Sequence, residues 1–572
     1  MIRPGLIYHT ARNLSPAQTL AWVRNRVRGP GGFSVPDGAP PERSEHWGLV
    51  GETLLELGPG DPGLRIQRAE RTATERYRFL NRELHLPRVD WTAKYESALW
   101  TYQLHYFDFA TDVAWAALGT GDVRYTDAFS RLWTSWLDAV ESGAVSIEPY
   151  PTSVRSINAL RSLLLLGDRV PTSLRDRLLW TTHAQLAWLE STLEVHLRAN
   201  HLLKNLNALA WDGLVFSGKN ASLRRGRLQG LWAEVDEQVL TDGGHFERSP
   251  MYHAAVLSDL LEILALCRTA DTPVPDWVPG RLDRMTRALQ LMTRLDGTLH
   301  LFNDAANGEC PAPLEVMGLA RQVLGAEFPQ PAGHFALRET GYHGWIDPTG
   351  GGRIIIDAGP PGPSYQPGHA HCDMLSFELD LAGRQVVVDA GVHGYDGDPY
   401  REYVRSTRAH NTVSIGNREQ HEVWGTFRMA RRGDVLEADS SARDGTFEFR
   451  GACRHYYDRS AVHRREIRLE ADTLTVTDFV EGAIGALVTG WLHLHPDFAV
   501  ERAGDLWLAQ GGDLRLRIDV FGADEVEVRR GETKPVQGWH CPEFGLAVDA
   551  PVLAMRLHSN RGEPFGYRLE RV

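Results

Sequence analysis

Lysine is scarce in this 572-residue chain. Only four of its 61 basic residues are lysines (Lys94, Lys204, Lys219 and Lys534), so the remaining 57 are arginines. The base composition of a gene produces such a bias. So does a need for forked guanidinium groups, which grip carboxylates and sulfates at two points. Cysteine is scarce too. Cys267, Cys310, Cys372, Cys453 and Cys541 are scattered, odd in number and without C-x-x-C spacing. That argues against a disulfide framework or a zinc-thiolate cluster and fits free thiols in a reducing compartment. No run of 18 apolar residues occurs, so no membrane span is expected. An excess of positive charge is also missing. The net charge of −13 argues against a general nucleic-acid binder, although a local basic cleft can still hold an anionic substrate. The opening MIRPGLIYHTARNLSPAQTLAWVRNRVRG has no continuous apolar h-region and no small-residue cleavage site. A cytoplasmic location is therefore expected, or a periplasmic or secreted one if a leader lies outside this sequence.

What is present is an ordinary globular balance, 42% hydrophobic and 24% charged. The length exceeds one core, so two or three domains are expected. From about residue 90 to 330, apolar residues recur at three- and four-residue spacing, as in QLAWLESTLEVHLRANHLLKNLNALAWDGLVF and DAFSRLWTSWLDAV. In SPMYHAAVLSDLLEILALC, Ser249 stands as an N-cap and Pro250 at the first helical position. From about Gly341 the period becomes two. GGRIIIDAG, MLSFELDLAGRQVVVDAG, RREIRLEADTLTVTDFVEG and LWLAQGGDLRLRIDVFG read as strands with Gly or Asp turns, in the manner of an antiparallel sandwich. The change of period divides the chain into three parts: 1–90, an arm with lead-in helices; 91–335, an all-α domain of helix pairs; and 336–572, the sandwich. The first 60 residues, rich in Gly and Pro after Arg28, read as an irregular arm or wrap.

Four polar groupings interrupt these patterns. In RANHLLKN, Asn200 and His201 lie in an apolar helical stretch, and Asn200 shares a face with Lys204 by i,i+4 spacing. A satisfied structural pair is the commoner use of such residues. DGGHFERSPMYH places His245, Glu247 and Tyr252 at a polar turn leading into the capped helix. Tyr252 falls in the first helical turn, where the dipole favours a phenolate, so a lowered pKa is expected. Taken alone, such a Tyr is more often a packed aromatic. GHAHCDMLSFELDLAGRQVVVDAG opens on His369 and His371 and closes past Asp389. Two His and one Asp are ligand types that a divalent metal accepts, and plain hydrogen bonding is equally open. The turn at Ala382-Gly383 brings Asp389 close to Ser376, so the GHAH loop must fold back for His371 to reach it. YREYVRSTRAHNTVSIG gathers Tyr400, Tyr403, Arg405, Arg408 and His410 ahead of a strand. Such a loop suits an acidic sugar or plain solvent.

In this order, NH on a helix, GGHFERSPMYH, GHAHCDMLSFEL and RAHNTV resemble the heparinase II/III-like polysaccharide lyases. LWTYQLHYFDF and EPYPTSVRSINAL are similar to that family's helical domain. The resemblance implies an α+β multidomain fold, an N-terminal incomplete (α/α) toroid followed by a C-terminal antiparallel β-sandwich, with the cleft between them. It implies β-elimination at a uronic acid: a base removes the C5 proton, the C4 oxygen leaves, and a 4,5-double bond remains. The substrate carboxylate must be neutralised for that proton to leave. By resemblance, Asn200 holds this carboxylate with help from His201. Tyr252 is the principal base or acid, and His369 is a second proton-transfer group. Tyr403 is a second catalytic Tyr, with Tyr400 equally placed. Arg155, His245, Glu247 and Arg408 contact substrate. A divalent metal, Zn²⁺ first with Mn²⁺ or Ca²⁺ as alternatives, is held by His371, Asp389 and His410. His421 and His455 compete for the third place.

The expected partner is an acidic polysaccharide or oligosaccharide, alginate-like or glycosaminoglycan-like, with no nucleic acid and no membrane span. Two other readings remain. A glycoside hydrolase on an α/α scaffold needs a facing pair of carboxylates, for which Asp242 and Glu247 are the candidates. A non-catalytic glycan-binding protein of exopolysaccharide assembly would keep the fold without turnover.

Overall fold

A computed structural model describes residues 3–28, 33–35, 40–145, 147–218, 223 and 225–572. Helices dominate up to Pro313–Leu324, and strands take over from Gly333–Leu337 onward. The helical half buries one continuous core. Trp100, Trp133, Trp136 and Trp211 are wholly inside it, and Phe107 stacks on Trp133 with ring centroids 3.9 Å apart. Aromatic groups of this size dominate core energetics because each removes so much apolar area from water. Helices Trp47–Leu57 and Pro62–Ala73 contribute Val50, Leu54 and Ala69 to the same core. Pro250–Thr269 is the one described helix long and apolar enough to cross a membrane, yet it lies in the middle of that core, with Ala254, Leu257, Leu260, Leu261 and Ile263 fully buried.

The second half is antiparallel throughout its three large sheets. A five-stranded meander runs from Gly333–Leu337 to Arg384–Val387. An eight-stranded sheet runs from Asp434–Arg443 through Thr473–Glu481 and Phe565–Arg571 to Ala499–Ala503 at its far edge. A four-stranded sheet pairs Val488–His493 with Val413–Ile415 and Val552–Leu557. Strand Thr446–Arg454 alternates Phe447, Phe449 and Gly451 inward with Glu448 and Arg450 outward, as a strand with one wet face must.

Strand Ser376–Leu381 departs from that rule, because both of its faces are buried. Phe377, Leu379 and Leu381 enter the sandwich core, while Glu378 and Asp380 face the helical half. There Arg294 pairs with both carboxylates, His300 donates to Glu378, and Arg353 donates to the carbonyls of Thr293, Gln290 and Leu291. The two halves thus meet across a buried polar seam, in which Arg294 pairs with Glu378 and Asp380 while Arg353 is held by backbone carbonyls. Such pairs add little net stability but are costly to break one-sidedly.

The expectation of an irregular arm is corrected. Residues 3–28 form two helices, Pro4–Ala11 and Pro16–Arg28, each with proline at its first position, where the missing N–H costs nothing. This arm lies across both halves. Gln18 donates to the carbonyls of His196 and Tyr365, Asn25 meets the His196 ring at 3.2 Å, and Trp424 donates to Thr10.

Burial pushes nine histidines down to about 3 or 4, among them His253, His300, His371, His455 and His493. Unfolded, each titrates near its ordinary 6.5. Below that pH the unfolded chain binds more protons than the native one, so stability falls as pH drops from 6.5 toward 4. Glu309, Asp373 and Asp380, raised by burial to about 7, 6 and 6, act in the opposite sense but are fewer. Thermal melts in this window are expected to show Tm decreasing steadily with acidity. A flat Tm would contradict the assignment.

Candidate functional site

The turn Asp242–Ser249 and the helix that follows it place the central aromatic. Ser249 caps the helix by accepting from Tyr252 N at 3.3 Å, and its hydroxyl donates to the Asp304 carbonyl at 2.6 Å. The turn is pressed against the sandwich. A Cβ on Gly244 would lie 1.8 Å from Thr340 Oγ1, so only glycine fits there. Tyr252 Oη lies 2.8 Å from Tyr395 Oη, and its ring lies against the His369 imidazole with centroids 4.1 Å apart. The expected dipole effect on Tyr252 is overruled. Burial, with Tyr395 and Asp304 nearby, holds the phenol well above its ordinary value, so it is a proton carrier at rest rather than a phenolate.

Asp304, on a loop from the helical half, is the hub. Its Oδ2 accepts from His369 Nδ1 at 2.9 Å and its Oδ1 from His371 Nε2 at 2.8 Å, while Arg401 pairs with both oxygens. Burial alone would raise this carboxyl. Arg401 and the two histidines outweigh that and hold it well below the usual carboxylate range. Arg401 in turn lies over the rings of Tyr395 and Phe427, at 5.0 and 5.3 Å. With Nδ1 committed to Asp304, His369 keeps its Nε2 for other work.

Beside Tyr252 a cavity of about 70 Å³ is lined by Tyr150, Asn200, Lys204, Asp259 and Glu309, among others. Asn200 is held by Glu247, with Nδ2 3.1 and 3.0 Å from its two oxygens. Lys204, one turn on, pairs with Asp259. His201 lies against Tyr150, ring centroids 4.6 Å apart, and its Nδ1 is 3.1 Å from Glu194. Glu309 accepts from Gln103 at 2.8 Å, and burial lifts it to about 7. A larger hollow of about 420 Å³ lies at the opposite end of the Tyr252 helix, by Cys267 and Arg268, and contains none of these groups.

Behind His369, the GHAH loop does fold back. His371 and His410 meet with ring centroids 5.3 Å apart, and ligand atoms of His371, Asp373 and His410 all lie within 4.8 Å of one another. Each histidine has one nitrogen anchored by a carboxylate and the other buried without a partner. His371 Nε2 is on Asp304 and leaves Nδ1; His410 Nδ1 is on Asp389 at 2.7 Å and leaves Nε2. This is the arrangement by which outer carboxylates orient metal-binding imidazoles. Although burial opposes its charged form, Asp389 and Asp373 raise His410 to about 9. The group that comes together differs in one member from the set expected by resemblance. Asp389 orients His410 from outside, and Asp373 completes the group. His421 and His455 are not in it: His421 Nδ1 accepts from Gly433 N at 3.0 Å.

Other expected contacts are corrected by burial. Arg155 is locked inside the helical core, donating to Gln185, Thr152 and the His105 carbonyl and lying 4.4 Å from the Trp136 ring. Burial lowers it to about 9. His245 is fully buried, its Nε2 3.2 Å from Gln238, and Glu247 stands behind Asn200, so neither faces substrate. Tyr403 is wholly buried against the Trp539 carbonyl, and burial raises it far above its ordinary value. Arg408 is half-buried, and its backbone carbonyl accepts from His493 and Gln537. The second tyrosine at the site is Tyr395, and Asp304 and Arg401 also escaped the sequence reading. Their only signals were the polar loops FNDAANG and GVHGYDGDPYREY, which lack any fixed spacing to the histidines.

Known proteins share this fold. Residues 69–317 match the Heparinase II/III N-terminus family, and residues 329–561 match Heparinase II/III-like, C-terminal. A heparin-sulfate lyase of Pedobacter heparinus is 24% identical over 362 residues, 57% of this chain and 53% of that protein. FtsZ-localized protein C of Caulobacter vibrioides is 27% identical over 260 residues, 44% of this chain and 42% of that protein. The chain thus spans about half the length of these curated relatives. The crystal structure of heparinase III superposes with a TM-score of 0.70 at 16% identity, covering 100% of this chain and 92% of that one. With one family match on the toroid, the other on the sandwich, and a heparinase sharing the whole fold, the chain belongs to the heparinase II/III-like family.

Proposed function

We propose that the chain is a polysaccharide lyase that cleaves uronic-acid-containing glycans of the glycosaminoglycan type by β-elimination. The observation that carries this reading is the convergence of Asn200, Tyr252 and His369 at the junction of toroid and sandwich. Asn200, fixed by Glu247, and Lys204 receive the substrate carboxylate and make the C5 proton acidic enough to remove. His369 Nε2 takes that proton, with Asp304 steadying the imidazolium through Nδ1. Tyr252, protonated at rest, donates from Oη to the departing C4 oxygen; the proton taken up by His369, whose ring lies against that of Tyr252, then restores the phenol and frees the imidazole, while Tyr395 Oη at 2.8 Å holds the phenolate by a hydrogen bond. The hydrolase reading fits less well. Asp242 is occupied by the backbone N–H groups of Glu339 and Thr340 at 2.8 and 2.9 Å, and Glu247 is buried on Asn200. Neither is free to act as a facing carboxylate.

His371, Asp373 and His410 would hold a divalent ion. Nitrogen and oxygen donors of this kind suit Zn²⁺ first and Mn²⁺ next. When bound, such an ion would supply a fixed positive charge where the GHAH loop meets the segment ahead of strand Val413–Ile415. The chain's own part is to present the two free imidazole nitrogens.

Incubation with a panel of acidic polysaccharides is expected to produce ultraviolet absorbance from the conjugated product. Tyr252→Phe should lower kcat by roughly 10²–10⁴-fold with little change in KM. Absence of absorbance from every acidic glycan with metal-replete protein would refute the lyase reading.

Glu309 gives a pH signature. It is neutral below about 7 and charged above, so it repels the substrate carboxylate as pH rises. KM for an anionic substrate should climb through pH 7, and Glu309→Gln should flatten that rise. An identical profile in the variant would exclude the role.

Metal content by mass spectrometry after dialysis should approach one ion per chain and vanish in His410→Ala. Asp304→Asn should weaken binding by about 10–100-fold, the usual effect of losing an orienting carboxylate. Stoichiometric metal in His410→Ala would move the site elsewhere.

A further inference from the structure

The arm helix Pro16–Arg28 has two faces of opposite character. Its inner face carries Gln18, Ala21 and Asn25, which dock on His196 of the toroid and Tyr365 of the sandwich. Its outer face carries Leu20, Val23 and Val27, exposed by 71%, 46% and 81%. At about 100° per residue these three fall within roughly 60° of arc, on the side away from the docked face. Arg24 and Arg26, both exposed, flank the stripe on either side. An aliphatic stripe bordered by arginines and pointing away from the protein is not explained by packing among the described residues.

Charge sets this segment apart. The first 36 residues contain five arginines and no aspartate or glutamate, whereas the rest of the chain holds 56 basic against 74 acidic residues. A cationic, apolar-striped helix on an otherwise acidic body is built for an anionic surface that also accepts hydrocarbon. We propose that the Pro16–Arg28 helix seats the protein on an anionic lipid surface, its aliphatic stripe entering the headgroup boundary and its arginines meeting the phosphates. A second copy of the chain is the weaker occupant. Specific protein interfaces bury on the order of 800 Å² per partner, more than three aliphatic side chains offer. Because the inner face bridges toroid and sandwich, lipid binding holds the arm from outside and leaves the Tyr252 cavity's own residues untouched.

The test uses the full chain in flotation with phosphatidylglycerol-containing vesicles and with pure phosphatidylcholine vesicles. The wild type is expected to float with the anionic vesicles and to release as salt rises. Leu20→Glu/Val23→Glu/Val27→Glu should weaken that binding roughly tenfold or more, with an unchanged melting temperature since all three are exposed. Arg24→Glu/Arg26→Glu should remove the preference for anionic lipid while keeping the fold. No flotation of the wild type, or equal flotation of the triple variant, would overturn the proposal. A concentration-dependent dimer that the triple variant dissolves, without vesicle binding, would assign the face to a second copy instead.

Discussion

One buried carboxylate organises the junction. Asp304 comes from the helical half, yet its three side-chain partners, His369, His371 and Arg401, all come from the sandwich half. A carboxylate taken out of water needs every lone pair matched, and removing one partner of such a buried pair costs about 3–5 kcal/mol. Here matching the charge also aims two imidazoles. One faces Tyr252, and the other turns its free nitrogen toward Asp373 and His410. Both imidazoles are therefore oriented by the same group, and neither can rotate without unpairing Asp304.

The seam around it follows the same logic. Glu378 accepts from Arg294, His300 and the Asp389 backbone N–H, so a charge network from the toroid reaches the residue that orients His410. Ser249 caps the Tyr252 helix while donating to the Asp304 carbonyl. Alignment of the two halves thus sets the geometry of the cleft. Glycines at the contact, such as Gly244 against Thr340, allow the backbones to close to that distance.

Much of this was legible beforehand because it rests on local pattern. The capped start at Ser249-Pro250, the helical period before residue 330 and the period of two after it are properties of short windows, and the structure contains each. Asn200, Tyr252 and His369 carried a motif order that the fold brings together. Arg155, His245 and Tyr403 carried the right chemistry but not the right direction. A residue's type says nothing of which side of its helix or loop meets solvent, and burial withdrew these from the cleft. Tyr252 departs from expectation for a related reason: a helix dipole is a local effect, and desolvation by burial outweighs it.

What the sequence determined by itself is the order and period of the elements, the two-part architecture, and the pool of His, Tyr, Asn and Arg side chains from which a site could be drawn. Only the tertiary structure decided the membership. Asp304, Tyr395, Asp373 and Arg401 join the site through contacts spanning about 70 to 140 positions of the chain. Asp389 pairs with His410 Nδ1 and lies outside the cluster of His371, Asp373 and His410. No spacing rule encodes such contacts. They exist because the buried charges of one domain must find their partners on the other, and that requirement is met in space rather than along the chain.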